Sequence, residues 1–318
     1  MLLSRFAVGM LSVGLIVLGA GEVSGQDYPN KPVRIITAPA GGGTDFTARL
    51  VAQMAGSLGQ PVVVDNRTTI LAPELVSKTP PDGYTLLVSG ASLWIAPLFR
   101  TTPYDVVRDF SPISLIERTV GVLAVHPSLP AKSIKELIVL AKARPGELNY
   151  ASSSLGGGAH LATELFKSMA DVNIVHVPYK GTGPSITALI SGEVQLTIFD
   201  VGLIAPHAKS GKLRALAVTS AEPSALFPGL STVAASGVPG YEAIGMTGLW
   251  APAKTPGAII NRLHREIVQV LNQPDVKEKF FTAGVETVGS SPEQFAATIK
   301  SDTARWGKVI KDAGIKLD

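Results

Sequence analysis

Val33-Arg34-Ile35-Ile36-Thr37-Ala38-Pro39-Ala40-Gly41-Gly42-Gly43-Thr44-Asp45 is the stretch that decides the fold. Val33 to Thr37, β-branched at every position but Arg34, reads as a buried strand, and Ala38 to Gly43 as a Gly-rich turn. Behind Thr44, residues Phe46, Leu50, Met54 and Leu58 recur every four positions as one face of a helix. Strand, Gly loop and helix in that order make one α/β unit. At such a junction the unbonded N–H groups of the first helical turn and the helix dipole favour an anion, and glycines let the backbone approach it. Taken alone, a Gly-rich turn before a helix is as often mere geometry. Asp45, just inside this helix, most simply stabilises its positive end.

The pattern recurs about 110 residues on: Leu148 to Ala151 reads as a strand, Ser152 to Gly158 as a Ser/Gly loop, and Leu161, Leu165, Phe166 and Met169 as the next helix face. Two such loops, read as one from each of two lobes, place both helix N-termini in the crevice beyond the carboxyl ends of the strands. A carboxylate there could be held mostly by uncharged donors. Each helix terminus contributes roughly 0.3–1 kcal/mol when exposed and up to about 2 when partly buried, and hydrogen bonds to the charged group contribute ~1.5–3 kcal/mol each. His160 opens the second helix and either touches the ligand or braces the loop.

Alternating β-rich and helix-period segments extend this plan over most of the chain, giving an α/β fold in two lobes. Short strands are expected at Pro61–Val64, Thr85–Val88, Val122–Val125, Ile174–Val177, Gln195–Phe199 and Leu213–Thr219, with one more through Gly248 to Trp250. Ser133 and Glu136 stand in capping-box spacing before Leu137, Ile138 and Ala141. Two long C-terminal helices are expected, with Thr255-Pro256 and Ser291-Pro292 each placing an N-cap residue before Pro at the first helical position. Phe295, Ile299, Trp306 and Ile310 give the last of them a core-facing stripe.

The first 25 residues predict export. Arg5 precedes an unbroken apolar run from Phe6 to Ala20, shorter than the ~20 residues a membrane span needs, and small residues follow it. A signal peptide over 1–25, cleaved after Gly25, is expected in preference to an uncleaved anchor. Its removal leaves 293 of 318 residues, more than one hydrophobic core usually serves, and the formal charge stays at +3. The division expected is lobe 1 over 26–122, lobe 2 over 123–243, and lobe 1 again with the C-terminal helices over 244–318. The crossovers should lie near Val122–His126 and Ala243–Gly248.

Several chemistries fail on composition and spacing. Lys and Arg are scattered, with no basic stripe among aromatics, so no nucleic acid is expected. The chain has no cysteine, which removes disulfides, a thiol nucleophile and a lipoprotein anchor. There is no G-x-S-x-G elbow, no G-x-G-x-x-G opening a helix and no P-loop around Ser210-Gly211-Lys212. His126, His160, His176, His207 and His264 never fall at i,i+2 or i,i+4, so neither a metal nor a cofactor is expected.

With these pieces in place, the chain resembles the Bug family, the extracytoplasmic receptors of tripartite tricarboxylate transporters. The likeness lies in Tyr28-Pro29 with Lys31-Pro32, Gly42-Gly43-Thr44-Asp45, Gly59-Gln60-Pro61-Val62-Val63-Val64 with Asn66-Arg67, and Pro81-Asp82-Gly83-Tyr84-Thr85-Leu86. It continues through His176-Val177-Pro178-Tyr179-Lys180-Gly181, Gly211-Lys212-Leu213-Arg214-Ala215-Leu216-Ala217 and Ala304-Arg305-Trp306. The resemblance implies a periplasmic-binding-protein type II fold, with a ligand cleft between lobes that holds an organic acid, an aromatic acid or an amino acid. Matched position by position it points to Ala40, Gly42, Gly43, Thr44 and Asp45 on one side, and to Ser152, Ser154, Gly156 and His160 on the other. Ser89 and Ser92 match a loop near the cleft wall, and Asp200 is a further candidate ligand contact.

The chain departs from the family pattern where Thr68-Thr69-Ile70-Leu71-Ala72-Pro73 replaces a Pro-Gly-Ala-Gly-Gly stretch, where Leu155 replaces a polar residue, and where Asp200-Val201 replaces Asn-Leu. A more apolar rim without added cations favours an aromatic or less polar carboxylate over citrate. The expectation is thus a monomeric periplasmic receptor, not an enzyme, whose partners are a small carboxylate and separate membrane permease subunits. A sensory receptor needs the same closing cleft, and a periplasmic hydrolase or isomerase using the Ser-rich loop and His160 is the alternative from another class.

Overall fold

In the computed structural model, residues 28–153 and 155–312 are described; the signal peptide expected over 1–25 and Ser154 lie outside them. The chain runs β1 (Val33–Thr37), α1 (Gly43–Val51), α2 (Ala55–Leu58), β2 (Val62–Asn66), α3 (Leu71–Ser77), β3 (Thr85–Gly90), α4 (Ser92–Ile95) and α5 (Val106–Asp109) into the long strand β4 (Phe110–Val125). It continues through α6 (Ile134–Ala143), β5 (Asn149–Ser152), α7 (Gly158–Ala170), β6 (Val175–Pro178), α8 (Thr182–Ser191), β7 (Leu196–Asp200), α9 (Val201–Lys209) and β8 (Arg214–Val218). The return is β9 (Ile244–Pro252), α10 (Gly257–Leu271), α11 (Pro274–Thr282), β10 (Val285–Thr287) and α12 (Pro292–Asp312).

Strand pairing divides the elements into two lobes. β2, β1 and β3 are parallel, and β3 continues antiparallel through β9 to the first part of β4, with β10 on the far side. In the other lobe β6, β5 and β7 are parallel, and β7 and β8 both pair antiparallel with the last part of β4. The switch is abrupt: Val120 still pairs with Ile244, whereas Gly121 pairs with Asp200. A second passage, Thr219 to Ala243, is tied to it, because Thr219 N donates to Gly121 O at 2.9 Å, Gly121 N donates to Thr219 Oγ1 at 2.8 Å and Ala243 N donates to Thr219 O at 2.9 Å.

Each lobe buries its own apolar layer. Val33, Ile35, Met54, Leu86, Leu249, Leu263 and Phe280 pack together in the first, and Val122, Leu189, Val194, Ile204 and Val218 in the second. A third layer is shared, joining Trp94, Trp250, Phe295 and Trp306 to Leu123, Tyr150, Leu161 and Phe166. The lobes also meet backbone to backbone. A Cβ on Gly202 of α9 would stand 2.5 Å from Ala283 O, and one on Gly284 would stand 2.5 Å from Gly202 N. Nearby Ser224 Oγ donates to Glu286 Oε1 at 2.7 Å.

Some local expectations need correcting. β4 begins twelve residues before the short strand expected at Val122, and the expected strand through Gly248–Trp250 is the nine-residue β9. Two register shifts, between Pro112 and Ser114 and between Leu115 and Glu117, break the alternation that would have shown β4. The two expected C-terminal helices are three, since Pro274 starts a separate helix and β10 intervenes. Thr255 does not cap α10: its hydroxyl donates to Pro252 O at 2.7 Å, and Pro256 is the cap residue. Ser291 does cap α12, accepting from Gln294 N at 3.2 Å while Gln294 Oε1 accepts from Ser291 N at 3.0 Å.

Candidate functional site

The wall contributed by the second lobe is built from helix starts. The α7 cap is Gly157 and the α8 cap is Gly181, and neither terminus receives a side-chain cap bond. Their first-turn amides therefore keep the donor capacity that a Ser or Asp cap would absorb. Gly156 at φ +71° and Gly181 at φ +109° supply left-handed turns that bring the chain into each helix. Ser153, Gly156, Gly157, Gly158, Ala159 and Thr182 line one side of a cavity of about 270 Å³. Opposite stand Ala91, Ser92 and Ile95 of the α4 segment, Phe99, Trp306, and the start of β9 with Ala243 before it. Gly121, Ile198, Phe199, Asp200 and Leu203 close the cavity at the strand crossing. Among the described residues no Lys or Arg lines it, and Asp200 is the one charged residue that does.

Behind the Ser/Gly loop the histidines form a packed support. His160 is 5% exposed, and its Nδ1 accepts a 3.1 Å hydrogen bond from Gly156 N, so it fixes the loop from the side away from the cavity. Ser152 Oγ lies 2.7 Å from His176 Nε2, and the two imidazole rings are 4.4 Å apart. Burial lowers both imidazoles: His160 falls below its usual value against a weaker pull from Glu164, and His176 drops to about 4, with His160 adding to the effect. Both are neutral at pH 7. Ser152 is fully buried and does not line the cavity. His160 thus holds the Gly156 amide, and the Ser–His pair that the loop does form, Ser152 with His176, lies away from the cavity lining.

The first Gly loop stands apart from that lining. Ala40, Gly42 and Gly43 are exposed, and Thr44 is half-buried with its methyl near the backbone of Gly90, next to Ala91 and Ser92. Asp45 is 4% exposed, and its carboxylate accepts from Gly41 N at 2.9 Å, Arg49 Nε at 3.1 Å and Asn66 Nδ2 at 2.8 Å. Burial alone would raise its pKa, but these donors together outweigh it and hold the carboxyl below the usual range. Asp45 therefore pins the loop. Ser89 lies in β3 opposite Gly248, outside the cavity, while Ser92, Gly156 and Asp200 are the expected residues that line it.

One acid went unnoticed in the sequence. Glu117 of β4 is 3% exposed and its carboxyl is pushed up to about 7, by burial first and by the nearby Asp200 in small part, against hydrogen bonds from Thr47 and Thr247. Thr47 Oγ1 lies 2.7 Å from Glu117 Oε2 and 3.0 Å from Gly43 O, yet has one hydrogen to give. A protonated Glu117 satisfies both contacts: its O–H donates to Thr47, which donates to Gly43 O. The acid is thereby coupled to the first Gly loop. Asp200, open to the cavity but closely surrounded by protein, is raised by burial to about 6.

Comparison with known proteins places this architecture. Residues 47–315 match the family described as the tripartite tricarboxylate transporter family receptor, TctC. Protein BugT of Bordetella pertussis is 37% identical over 316 residues, covering 96% of this chain and 97% of its own. Among solved structures, R. palustris Rpa4515 with adipate is 37% identical at TM-score 0.79, covering 91% of this chain and 99% of its own. MatC from Rhodopseudomonas palustris with bound malate is 27% identical at TM-score 0.75, covering 89% and 100%. The periplasmic binding protein BugD is 30% identical at TM-score 0.76, covering 92% and 100%. A receptor family agrees with the expectation that the chain binds a solute and is not an enzyme. The chain belongs to the tripartite tricarboxylate transporter receptor family.

Proposed function

We propose that this protein is a periplasmic receptor that closes its two lobes over one small carboxylate and delivers it to separate membrane permease subunits. The observation that carries this reading is the interlobe cavity, walled on one side by the uncapped starts of α7 and α8 and free of cationic side chains. Backbone amides at helix starts can seat a carboxylate without the desolvation cost of a buried Lys or Arg. The adipate and malate complexes of its relatives support the ligand class. Ile95, Phe99, Leu161, Ile198, Leu203 and Trp306 make the remaining wall apolar, which favours a ligand with a hydrocarbon or aromatic body over citrate.

In this reading lobe 1 spans residues 28–120 and 244–312 and lobe 2 spans 121–243, so that the boundaries fall where β4 and the Thr219–Ala243 passage change sheets. Among the described residues no helix is long and apolar enough to cross a membrane. The receptor works as a monomer and needs no nucleic acid. Of the candidate contacts, Ser92, Gly156 and Asp200 touch ligand directly, His160 and Ser152 hold the loop in shape, and the Ala40–Asp45 loop meets ligand only through water or on further closure.

The test is a thermal-shift screen of the mature protein against mono-, di- and tricarboxylates, amino acids, sugars and amines. A carboxylate at 100 times its dissociation constant should add about 2.7 kcal/mol to stability. Stabilisation by sugars or amines alone would refute the assignment, and citrate as the tightest ligand would refute the apolar-body preference.

A further inference from the structure

We infer that Asp200 selects among carboxylates, admitting those that carry a hydrogen-bond donor, above all an ammonium group, and disfavouring those with a second carboxylate. The inference rests on the receptor reading above and deepens it. Among the described residues Asp200 is the single charged one lining the interlobe cavity, and no Lys or Arg stands with it there. Its carboxylate makes no hydrogen bond or ion pair with any described residue. The simplest structural role, capping α9, is absent: Asp200 is the residue at that cap, but its side chain accepts nothing from the helix.

An acid in that position is held at a cost. Its side chain is open to the cavity, yet the surrounding protein raises its carboxyl, and the acid nearby, Glu117, offers no compensation. A bound molecule that offers a cation or a donor removes the penalty, and one that offers a second anion increases it. Another part of the cavity lining has the reverse character. There the first-turn amides of α7 and α8 present donors to an anion. Uncapped helix starts and a bare carboxylate lining one cavity, together with Ile198, Leu203 and Trp306, describe a receptor for a zwitterion or a hydroxy acid with an apolar body.

The experiment is calorimetric titration of the purified protein with five probes of one chain length: pentanoate, glutarate, 5-hydroxypentanoate, 5-aminopentanoate and 2-aminopentanoate. At least one amino probe should bind about tenfold or more tighter than pentanoate and glutarate, and the hydroxy probe, if intermediate, supports the same donor requirement. In Asp200→Asn that advantage should collapse to within about threefold, and glutarate should gain relative to pentanoate. The comparison of probes on the unaltered protein stands even where the variant does not fold. Pentanoate or glutarate binding as tightly as every donor-bearing probe overturns the role of Asp200 while leaving the carboxylate receptor intact. Binding of none of the five overturns both.

Discussion

Gly202→Ala should lower the melting temperature and loosen the contact between lobes. The added methyl would stand 2.5 Å from Ala283 O and 3.2 Å from Ala283 C, with Gly284 Cα at 3.6 Å. A carbon bonded to hydrogen approaches a carbonyl oxygen to about 3.3 Å, so the backbones must part by roughly 0.8 Å. The obstacle is backbone on both sides, with no flexible side chain to swing away. Overpacking of this kind costs about 1–3 kcal/mol, and each kcal/mol lowers the melting temperature by about 2–4 °C in a chain somewhat shorter than this one, giving a loss of roughly 2–12 °C, towards the lower part of that range for this length. Calorimetry of the variant beside Gly257→Ala measures it. Gly257 opens α10 with nothing within 4 Å of a built Cβ, so alanine there should be neutral or slightly stabilising. If Gly202→Ala melts within a degree of the unaltered protein, the two backbones are not in contact in solution and the interlobe packing described above is wrong.

Glu117→Gln should flatten the pH dependence of stability between about pH 4.5 and 7. The folded protein holds this carboxyl up at about 7, so the protonated form is favoured and its stabilisation is lost as pH rises through that window; removing the acid should recover on the order of 3 kcal/mol at pH 8, read from melts at intervals of pH. Asp45→Ala should act in the opposite sense. Its carboxyl is held below the usual range, so its contribution is present above pH 4 and fades as pH falls through the folded value; the variant should lose about 1–3 kcal/mol at pH 7, a loss that shrinks progressively as pH falls below 4, with faster hydrogen exchange at Gly41. Trp306 is the one tryptophan of three that lines the cavity, so Trp306→Phe should abolish ligand-induced change in emission, and a change that persists would place the ligand elsewhere.

What the sequence made legible follows from local periodicity. Val33–Thr37 appears as read, and Leu50, Met54 and Leu58 are buried on one side as expected, although a 3-10 turn over Ala52–Met54 divides their helix in two. The first twelve residues of β4 did not, since Pro112 reads as a break and Glu117-Arg118 as surface, while two bulges erase the alternation. The cavity was half legible. Glycines before α7 announced themselves, but Phe99, Leu203 and Trp306 come from three distant segments, and each looks like ordinary core until the chain is folded. Asp45 and His160 were visible as polar groups beside the loops; that each spends its acceptors on a loop amide depends on side-chain directions that spacing does not carry.

Gly121 has two duties that bear on each other. It is the first residue of β4 to leave one sheet for the other, and it is also part of the cavity wall. A Cβ there would meet Thr219 Oγ1 at 2.9 Å and Ile198 Cγ2 at 3.1 Å, so the position has conformational freedom but no spare room. Any guest in the cavity accordingly presses on the joint itself. The seat and the crossing between sheets thus share one residue, and a larger side chain at that position would crowd both at once.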